Sequence, residues 1–297
     1  MKSKVLALIL LCGAASLGAK VKLPALVGDN MILQQQTEVK LWGTAAPEAE
    51  VRVTPSWNGQ TMTCRADKDG GWTLAVETPA AGYTPYEITF DDGEKTTLKN
   101  ILIGEVWLAS GQSNMEMPLK GFAGCCIMNG ADDIIVSAEN KGVRMFTVPK
   151  HQTYELQTDC KGSWNISSIE TAPDFSATAY YFATSLSRAL RFPVGIICSA
   201  YGGSTVEGWI SRELLENYPD ISLNPDSIER LHPMLRPMLM YNAMLKPLQN
   251  YTIKGFIWYQ GESNVGRHET YAERLADMVQ LWRKEWGLGE LPFYFAA

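Results

Sequence analysis

Hydrophobic and polar positions alternate through the first part of the chain, in short runs that end at turn residues. The turns are Asp69-Gly70-Gly71 and Asp91-Asp92-Gly93. Four runs carry the alternation: Val39 with Leu41, Val51 with Val53, Trp72 with Leu74 and Val76, and Tyr86 with Ile88 and Phe90. Short alternating strands at this spacing predict a small all-β sandwich over residues 20–100. No constellation of catalytic residue types falls within it.

From about residue 101 the pattern changes to continuous apolar runs that alternate with helical periodicity. Predicted strands are Val106–Ser110, Val194–Ser199, Phe256–Tyr259 and Phe293–Ala296. One predicted helix face contains Phe182, Leu186, Ala189 and Leu190; another contains Tyr271, Leu275, Met278, Val279, Trp282 and Trp286, and ends at Gly287. Alternating strands and helices predict an α/β fold over residues 101–297, with a mainly parallel sheet flanked by helices. Ligands in such folds bind at the carboxyl ends of the strands.

The first 19 residues have the pattern of a secretory signal peptide. Lys2 and Lys4 precede the apolar run Val5–Cys12, and small residues follow as far as Ala19. We therefore expect a secreted or periplasmic protein. No later run is long enough to cross a bilayer, so no membrane association is expected after cleavage. The formal net charge of −6 argues against a nucleic-acid partner.

Five cysteines follow the predicted signal peptide, an odd number that leaves at least one thiol free. Export permits disulfides, and Cys160 has two candidate partners, Cys125 and Cys126. Cys64 and Cys198 fit small, buried apolar positions better.

The first segment with catalytic character is Val106–Met115, an apolar strand that runs into Gly111 and then Ser113. Glycine permits a tight turn, and a serine placed there would lie at a helix N-terminus, where backbone N–H groups favour a developing anion. That is the geometry required of a serine nucleophile. An ordinary strand–helix turn capped by Ser113 explains the spacing equally well. The Gly-x-Ser-x-Gly turn of α/β-hydrolases is absent from the sequence.

A second segment, Cys198–Trp209, follows another predicted strand and contains a glycine pair. The Gly203 N–H is a candidate donor to an oxyanion. Glu207 and Trp209 either line a sugar site or cap and pack the next helix. The simpler alternative for the glycine pair is a structural turn.

The third segment, Trp258–Asn264, places Gln260, Glu262 and Asn264 at the end of a third strand. Gln260 or Asn264 can donate a side-chain N–H to an oxyanion, and Glu262 can orient that amide or the loop of Ser113. Local bonds between side chains and backbone are the alternative.

Together these segments resemble the sialate O-acetylesterase family of the SGNH-hydrolase superfamily. The resemblance lies in Gly-Gln-Ser-Asn-Met, Gly-Gly-Ser-x-x-Glu-x-Trp and Trp-Tyr-Gln-Gly-Glu-Ser-Asn, and extends through Met240–Leu248 and the N-terminal β region. It implies that Ser113 is the nucleophile and that the backbone N–H groups of Ser113 and Gly203 form the oxyanion hole with the Gln260 side chain. It also implies an acetylated sugar as substrate and no cofactor. The expected substrate-binding residues are Gln112, Asn114, Glu207, Trp209, Glu262 and Asn264.

The family also has a late Asp-x-x-His segment, whose histidine is the general base. No such segment follows the last predicted strand, so we expect a truncated chain with low activity and exposed apolar surface. The histidines present are His151, His232 and His268. Glu229 precedes His232 by three residues, but that pair falls before the third segment, where relatives have a variable loop.

The sequence therefore predicts a serine esterase that removes O-acetyl groups from carbohydrate, with 9-O-acetylated sialate favoured as substrate. Hemicellulose esters such as xylan remain open, and so does a non-catalytic carbohydrate-binding protein. A glycosidase using Glu207 and Glu262 is less favoured, because it leaves Ser113 unexplained. Metal catalysis is disfavoured, because the histidines are far apart in sequence. An anionic sialate would favour an arginine at the site, and the candidates are Arg144, Arg212 and Arg267. The oligomeric state is left open.

Overall fold

The structure is a computed structural model that describes residues 20–296. The predicted signal peptide, residues 1–19, lies outside the described residues. Twelve strands are present in the described range. They are β1 Ile32–Gln34, β2 Glu38–Thr44, β3 Glu50–Pro55, β4 Met62–Arg65, β5 Gly71–Glu77, β6 Gly82–Asp91, β7 Lys95–Gly111, β8 Val143–Thr147, β9 Trp164–Ile166, β10 Val194–Ala200, β11 Gly255–Tyr259 and β12 Phe293–Ala296.

The α-helices vary in length from single turns to five turns. They are α1 Ser113–Glu116, α2 Gly130–Val136, α3 Ala177–Leu190, α4 Arg212–Leu215, α5 Pro225–Glu229 and α6 His268–Trp286. Short 3₁₀ turns occur at Ser137–Glu139, Val206–Trp209, Pro233–Leu235, Lys246–Leu248 and Glu262–Arg267, and a π-helical turn at Tyr241–Leu245. No helix in residues 20–296 has both the length and the apolar composition needed to cross a membrane.

The N-terminal strands pack in two antiparallel layers. One layer pairs β2 with β5, and the other has the order β4-β3-β6-β7. Every second residue of β5 is buried, and so are Val39 and Leu41 of β2, which confirms the alternation seen in the sequence. Trp72 of β5 packs on Phe90 of β6 with ring centroids 5.8 Å apart, so the apolar faces of the two layers meet.

Strand β7 is 17 residues long and belongs to both parts of the molecule. Its first half pairs antiparallel with β6, whereas its second half pairs parallel with β10 on one side and β11 on the other. The parallel sheet continues outward to β8 beyond β10 and to β12 beyond β11. The four strands predicted from apolar runs are all confirmed. The expected boundary near residue 100 falls inside β7 and not in a linker.

Helix α3 packs on the sheet through a face that only partly matches the predicted one: Phe182 and Leu186 pack against the apolar cluster, whereas Ala189 and Leu190 are exposed. Its buried residues are Ala177, Ala179, Tyr180, Ala183, Thr184 and Ser187, whereas Leu190 is 38% exposed. The prediction from the larger apolar residues misses the most buried part of the face, because small residues let the helix approach the sheet closely. The second predicted face is confirmed: Met278, Trp282 and Trp286 of α6 are buried, and Gly287 ends the helix with φ of +64°.

All five cysteines in residues 20–296 are free thiols. Cys125 and Cys126 are exposed and Cys198 is buried. Burial raises the pKa of Cys198 to about 12, which fits the small apolar role expected for it. The pairing of Cys160 that the sequence left open is not formed.

Candidate active site

The carboxyl ends of three neighbouring strands bring the three predicted segments together. Gly111 of β7 is in register with Ala200 of β10 and with Tyr259 of β11. The polar part of each segment follows one of these residues, so Ser113, the glycine pair and Gln260 share one edge of the sheet.

Gly111 allows the chain to turn from β7 into α1. Its φ is +141°, and a Cβ atom there would lie 2.1 Å from the Tyr259 carbonyl oxygen. No other residue type fits this turn, because both the dihedral angle and the space exclude a side chain. Ser113 is the first residue of α1 and is partly exposed. Among the described residues, its backbone N–H has no hydrogen-bond acceptor.

The glycine pair lies directly against α1. The Gly202 N–H donates to Glu116 Oε2 at 2.5 Å, and a Cβ on Gly202 would lie 3.7 Å from Ser113 Cβ. Gly203 has φ of +76°, and its N–H finds no acceptor in residues 20–296. Met234 lies over Gly203, with its sulfur 2.2 Å from where a Cβ would be. The Gly203 N–H, without an acceptor among the described residues, therefore belongs to the residue that follows the close approach of Gly202 to α1.

Glu116 is a residue that the sequence reasoning missed. Its carboxylate accepts the Gly202 N–H and also pairs with Lys150 at 2.5 Å. Lys150 in turn lies over the Tyr201 ring, 5.2 Å from its centroid. The spacing Ser-x-x-Glu resembles a helix-capping box and marks Glu116 as a hydrogen-bonding residue. Here it fixes the glycine turn instead of capping its own helix.

Gln260 is buried at the same edge, but both of its amide hydrogens are engaged. Its Nε2 donates to the Ser204 carbonyl at 3.0 Å and to Asn264 Oδ1 at 2.8 Å. Its Oε1 is buried without a partner among the described atoms. Donation to an oxyanion therefore requires Gln260 to give up one of these two bonds.

Gln112 and Asn114 connect the first segment to the third. Gln112 is buried, and its Oε1 accepts the backbone N–H groups of Gly261 and Ser263 at 3.2 and 3.3 Å. Asn114 Nδ2 donates to Glu262 Oε1 at 2.5 Å. Glu262 is exposed at the rim. These bonds hold the two loops in a fixed relation on either side of Ser113.

Glu207 is at the centre of a buried polar network. It pairs with Arg274 at 2.5 Å, and both side chains are 2% exposed. It also accepts from Asn264 Nδ2 at 3.1 and 3.2 Å. Burial raises the pKa of Glu207, but hydrogen bonds and the charge of Arg267 outweigh burial and leave the pKa below its usual value. Arg274, which also binds Asp220, was missed by the sequence reasoning.

Glu207 and Trp209 were expected to line the sugar site, and the structure corrects this. Trp209 is 0% exposed; its Nε1 donates to Ser204 Oγ and its ring packs edge-on against Trp258. Asn264 is buried as well and bridges Glu207 to Gln260. These three side chains support the loops from beneath.

The three histidines are all exposed, and in residues 20–296 none pairs with a carboxylate. His268 Nδ1 lies 3.1 Å from the Val265 carbonyl oxygen at the start of α6. His232 precedes the turn that carries Met234. The Glu229 carboxylate binds Arg236 and the Tyr154 hydroxyl instead of His232.

The three candidate arginines lie in different places. Arg267 is next to the third segment, 3.5 Å from Glu207, with its side chain 41% exposed. Arg212 pairs with Glu216 on the surface. Arg144 is buried near the start of β8, away from the carboxyl edge of the sheet. Only Arg267 lies beside a predicted site residue.

The fold and the family motifs place the chain in the class of carbohydrate esterases. A carbohydrate acetylesterase from Xanthomonas citri has the same fold, with a TM-score of 0.82 and 34% sequence identity over 93% of this chain and 60% of that one. The family described as carbohydrate esterase, sialic acid-specific acetylesterase, matches residues 103–297. The chain belongs to this family, as its motifs predicted.

Curated relatives are similar along almost the whole chain. The sialate O-acetylesterase of Rattus norvegicus is 27% identical over 337 residues, covering 96% of this chain and 60% of that protein. The human sialate O-acetylesterase is 28% identical over 301 residues, covering 95% of this chain and 56% of that protein. The chain thus spans less than two thirds of the length of these relatives.

Proposed function

We propose that this protein is a carbohydrate O-acetylesterase with Ser113 as nucleophile. The observation that carries the proposal is the Gly203 N–H: it has no acceptor in residues 20–296, and it follows Gly202, at which a Cβ would lie 3.7 Å from Ser113 Cβ. Ser113 Oγ attacks the acetyl carbonyl carbon and gives its proton to a base, and the sugar oxygen leaves with a proton. Water then hydrolyses acetyl-Ser113 to acetate.

The backbone N–H groups of Ser113 and Gly203 would stabilise the oxyanion, and Gln260 would join them by exchanging its bond to Ser204 or Asn264. Such donors act strongly because they are fixed in advance. The hydrogen bonds from Glu116 and Gln112 support this role, since they hold the loops that carry the donors.

Acetate release from p-nitrophenyl acetate tests the nucleophile. Ser113→Ala should lower the rate by about 10³-fold or more. Ser222→Ala, a change at an exposed serine, is the matched control and should leave the rate unchanged. Equal rates in the chain and its Ser113→Ala variant, at a level above background, would refute the assignment.

The general base is tested by replacing His151, His232 and His268 with glutamine, one at a time. A loss comparable to that of Ser113→Ala identifies the base. If no variant loses activity, the base is not one of these three histidines. A chain that binds acetylated sugar without turnover would support the alternative of a non-catalytic carbohydrate-binding protein.

We propose an O-acetylated sialic acid, esterified at the 9-position, as substrate. The names of the mammalian relatives support a sialate substrate without giving the position, and Arg267, a partly exposed cation beside the third segment that can pair with a carboxylate, supports it too. Acetate release from 9-O-acetylated sialic acid should exceed release from acetylated xylan. Activity on xylan alone would contradict the sialate assignment.

We propose that the protein is exported. The basic start, the apolar run and the small residues near Ala19 support a signal peptide. The mass of the mature protein from its native host should correspond to a start near residue 20. A retained N-terminal segment would contradict this proposal.

A further inference from the structure

A cavity of about 570 Å³ lies away from the candidate active site. Its walls come from Tyr83 of β6, Asn100 of β7 and Arg144 of β8, together with the end of α3. Arg144 is in register with Gly195, the second residue of β10, whereas the candidate active site follows the last residue of that strand. The cavity therefore opens at the opposite edge of the sheet.

Arg144 is a buried cation with no acidic partner among residues 20–296. It is 4% exposed, and in this part of the chain it makes one hydrogen bond, from Nη2 to Asn100 Oδ1 at 3.3 Å. Nε and Nη1 have no partner within residues 20–296. Burial lowers the pKa of Arg144 to about 10, which reflects the cost of the uncompensated charge. Buried charges are ordinarily paired, so this guanidinium has unused capacity for an anion.

Three further cations, Lys141, Arg188 and Arg191, line the same cavity, against one carboxylate, Glu139. None of the three forms an ion pair with a described carboxylate. Arg188 and Arg191 lie at the end of α3, where cations complement the helix dipole. The dipole therefore explains the placement of these two arginines but not that of the other cations. Lys141 and Arg144 lie outside that helix. The cluster is also unexpected in a chain whose formal net charge is −6.

We propose that this cavity binds the oxyanion of a small molecule, a carboxylate or a phosphate group, with Arg144 as its buried anchor. Lys141, Arg188 and Arg191 attract the anion from the rim. The volume is in the range of small-molecule sites, about 300–1,000 Å³. The guanidinium of Arg144 matches the planar geometry of a carboxylate or phosphate. The site is separate from Ser113 and does not depend on the esterase proposal.

Calorimetric titration of the chain with glucuronate, inorganic phosphate and glucose tests the proposal. Glucuronate or phosphate should bind saturably and more weakly as salt is added, and neutral glucose should not bind. Arg144→Met should weaken binding by about tenfold or more, the usual effect of removing one charged hydrogen-bonding partner. Arg212→Gln, an exposed arginine outside the cavity, is the matched control and should bind like the unchanged chain.

Melting temperatures separate binding from folding. Without anion, Arg144→Met should melt at or above the temperature of the unchanged chain, because the substitution removes an unpaired buried charge. Phosphate or glucuronate should raise the melting temperature of the unchanged chain and not that of the variant. If Arg144→Met does not fold, the doubly substituted Arg188→Gln, Arg191→Gln chain replaces it in the titration, and the same loss of affinity is expected.

The two anions identify the ligand group. Binding of phosphate alone assigns a phosphate group, and binding of glucuronate, with or without phosphate, assigns a carboxylate. Three results would each overturn the proposal: no saturable binding of either anion, equal binding of glucose, or undiminished affinity in the variant. Ser113→Ala should bind both anions like the unchanged chain, so failure here is independent of the esterase assignment.

Discussion

Removing the Glu207 carboxylate should deprive Arg274 of its buried acidic partner beneath the candidate active site and leave it the exposed Asp220. Both side chains are 2% exposed, and Glu207 Oε1 lies 2.5 Å from Arg274 Nη1. Asp220 also binds Arg274, but its side chain is 51% exposed and cannot replace a buried partner. Breaking a buried ion pair from one side costs about 3–5 kcal/mol, because the remaining charge stays buried. We expect Glu207→Ala to lose unfolding free energy in this range.

Replacing both partners should cost less than replacing one. A Glu207→Leu, Arg274→Met chain removes both charges, and apolar replacements of buried pairs are often nearly neutral. Urea unfolding followed by tryptophan fluorescence measures each variant, with the shift in midpoint at constant slope as the readout.

A surface pair provides the control for this prediction. Arg212 and Glu216 have side chains 51% and 56% exposed. Glu216→Ala should therefore cost less than about 1 kcal/mol. Two results would refute the reasoning. One is a loss of unfolding free energy in Glu207→Ala that is no larger than the loss in Glu216→Ala. The other is a double variant whose loss equals the sum of the losses of the two single variants.

Three further results are expected. Gly111→Ala should destabilise the protein by about 3 kcal/mol and abolish esterase activity, whereas Gly93→Ala, with positive φ but open space, should cost less in thermal melting. Cys198 should resist a thiol reagent until urea unfolds the chain, while exposed Cys125 reacts at once; reaction of Cys198 in the native state would contradict its burial. Because the pKa of folded Glu207 is depressed, its stabilisation is present above the titration range of an unfolded glutamate, about pH 4–5, and is lost as pH falls through the lower folded pKa. The urea midpoint of the unchanged chain should fall as the pH is lowered through that window, and the midpoint of Glu207→Gln should fall less steeply. Equal dependence of the two midpoints on pH would contradict the assignment of this stabilisation to Glu207.

The sheet and the meeting of the three segments were predictable because parallel strands share a direction. Once three apolar runs are assigned as parallel strands, the residues after each must lie at one edge. The register of Gly111 with Ala200 and Tyr259 satisfies that expectation. The glycine at position 111 is the clearest local sign of a tight turn in the sequence. In the structure the turn there excludes a side chain.

The support beneath the site was not predictable from local pattern. Glu207 and Arg274 are 67 residues apart, and only tertiary folding shows that they form a buried pair. Trp209 resembles an aromatic sugar platform in sequence, yet the sheet and α6 cover it completely. The most buried residues of α3 were missed for a related reason, because Ala179 and Ala183 pack by being small rather than by being strongly apolar.

The shared strand β7 has a mechanical consequence. Its 17 residues enter both halves of the molecule, and one of them, Asn100, has a left-handed backbone with φ of +57°. The N-terminal layers therefore cannot be cut away as a detachable module, since any cleavage near residue 100 would sever the strand that delivers Ser113. Amide exchange should accordingly be slow through the middle of β7, and the two halves should lose protection together.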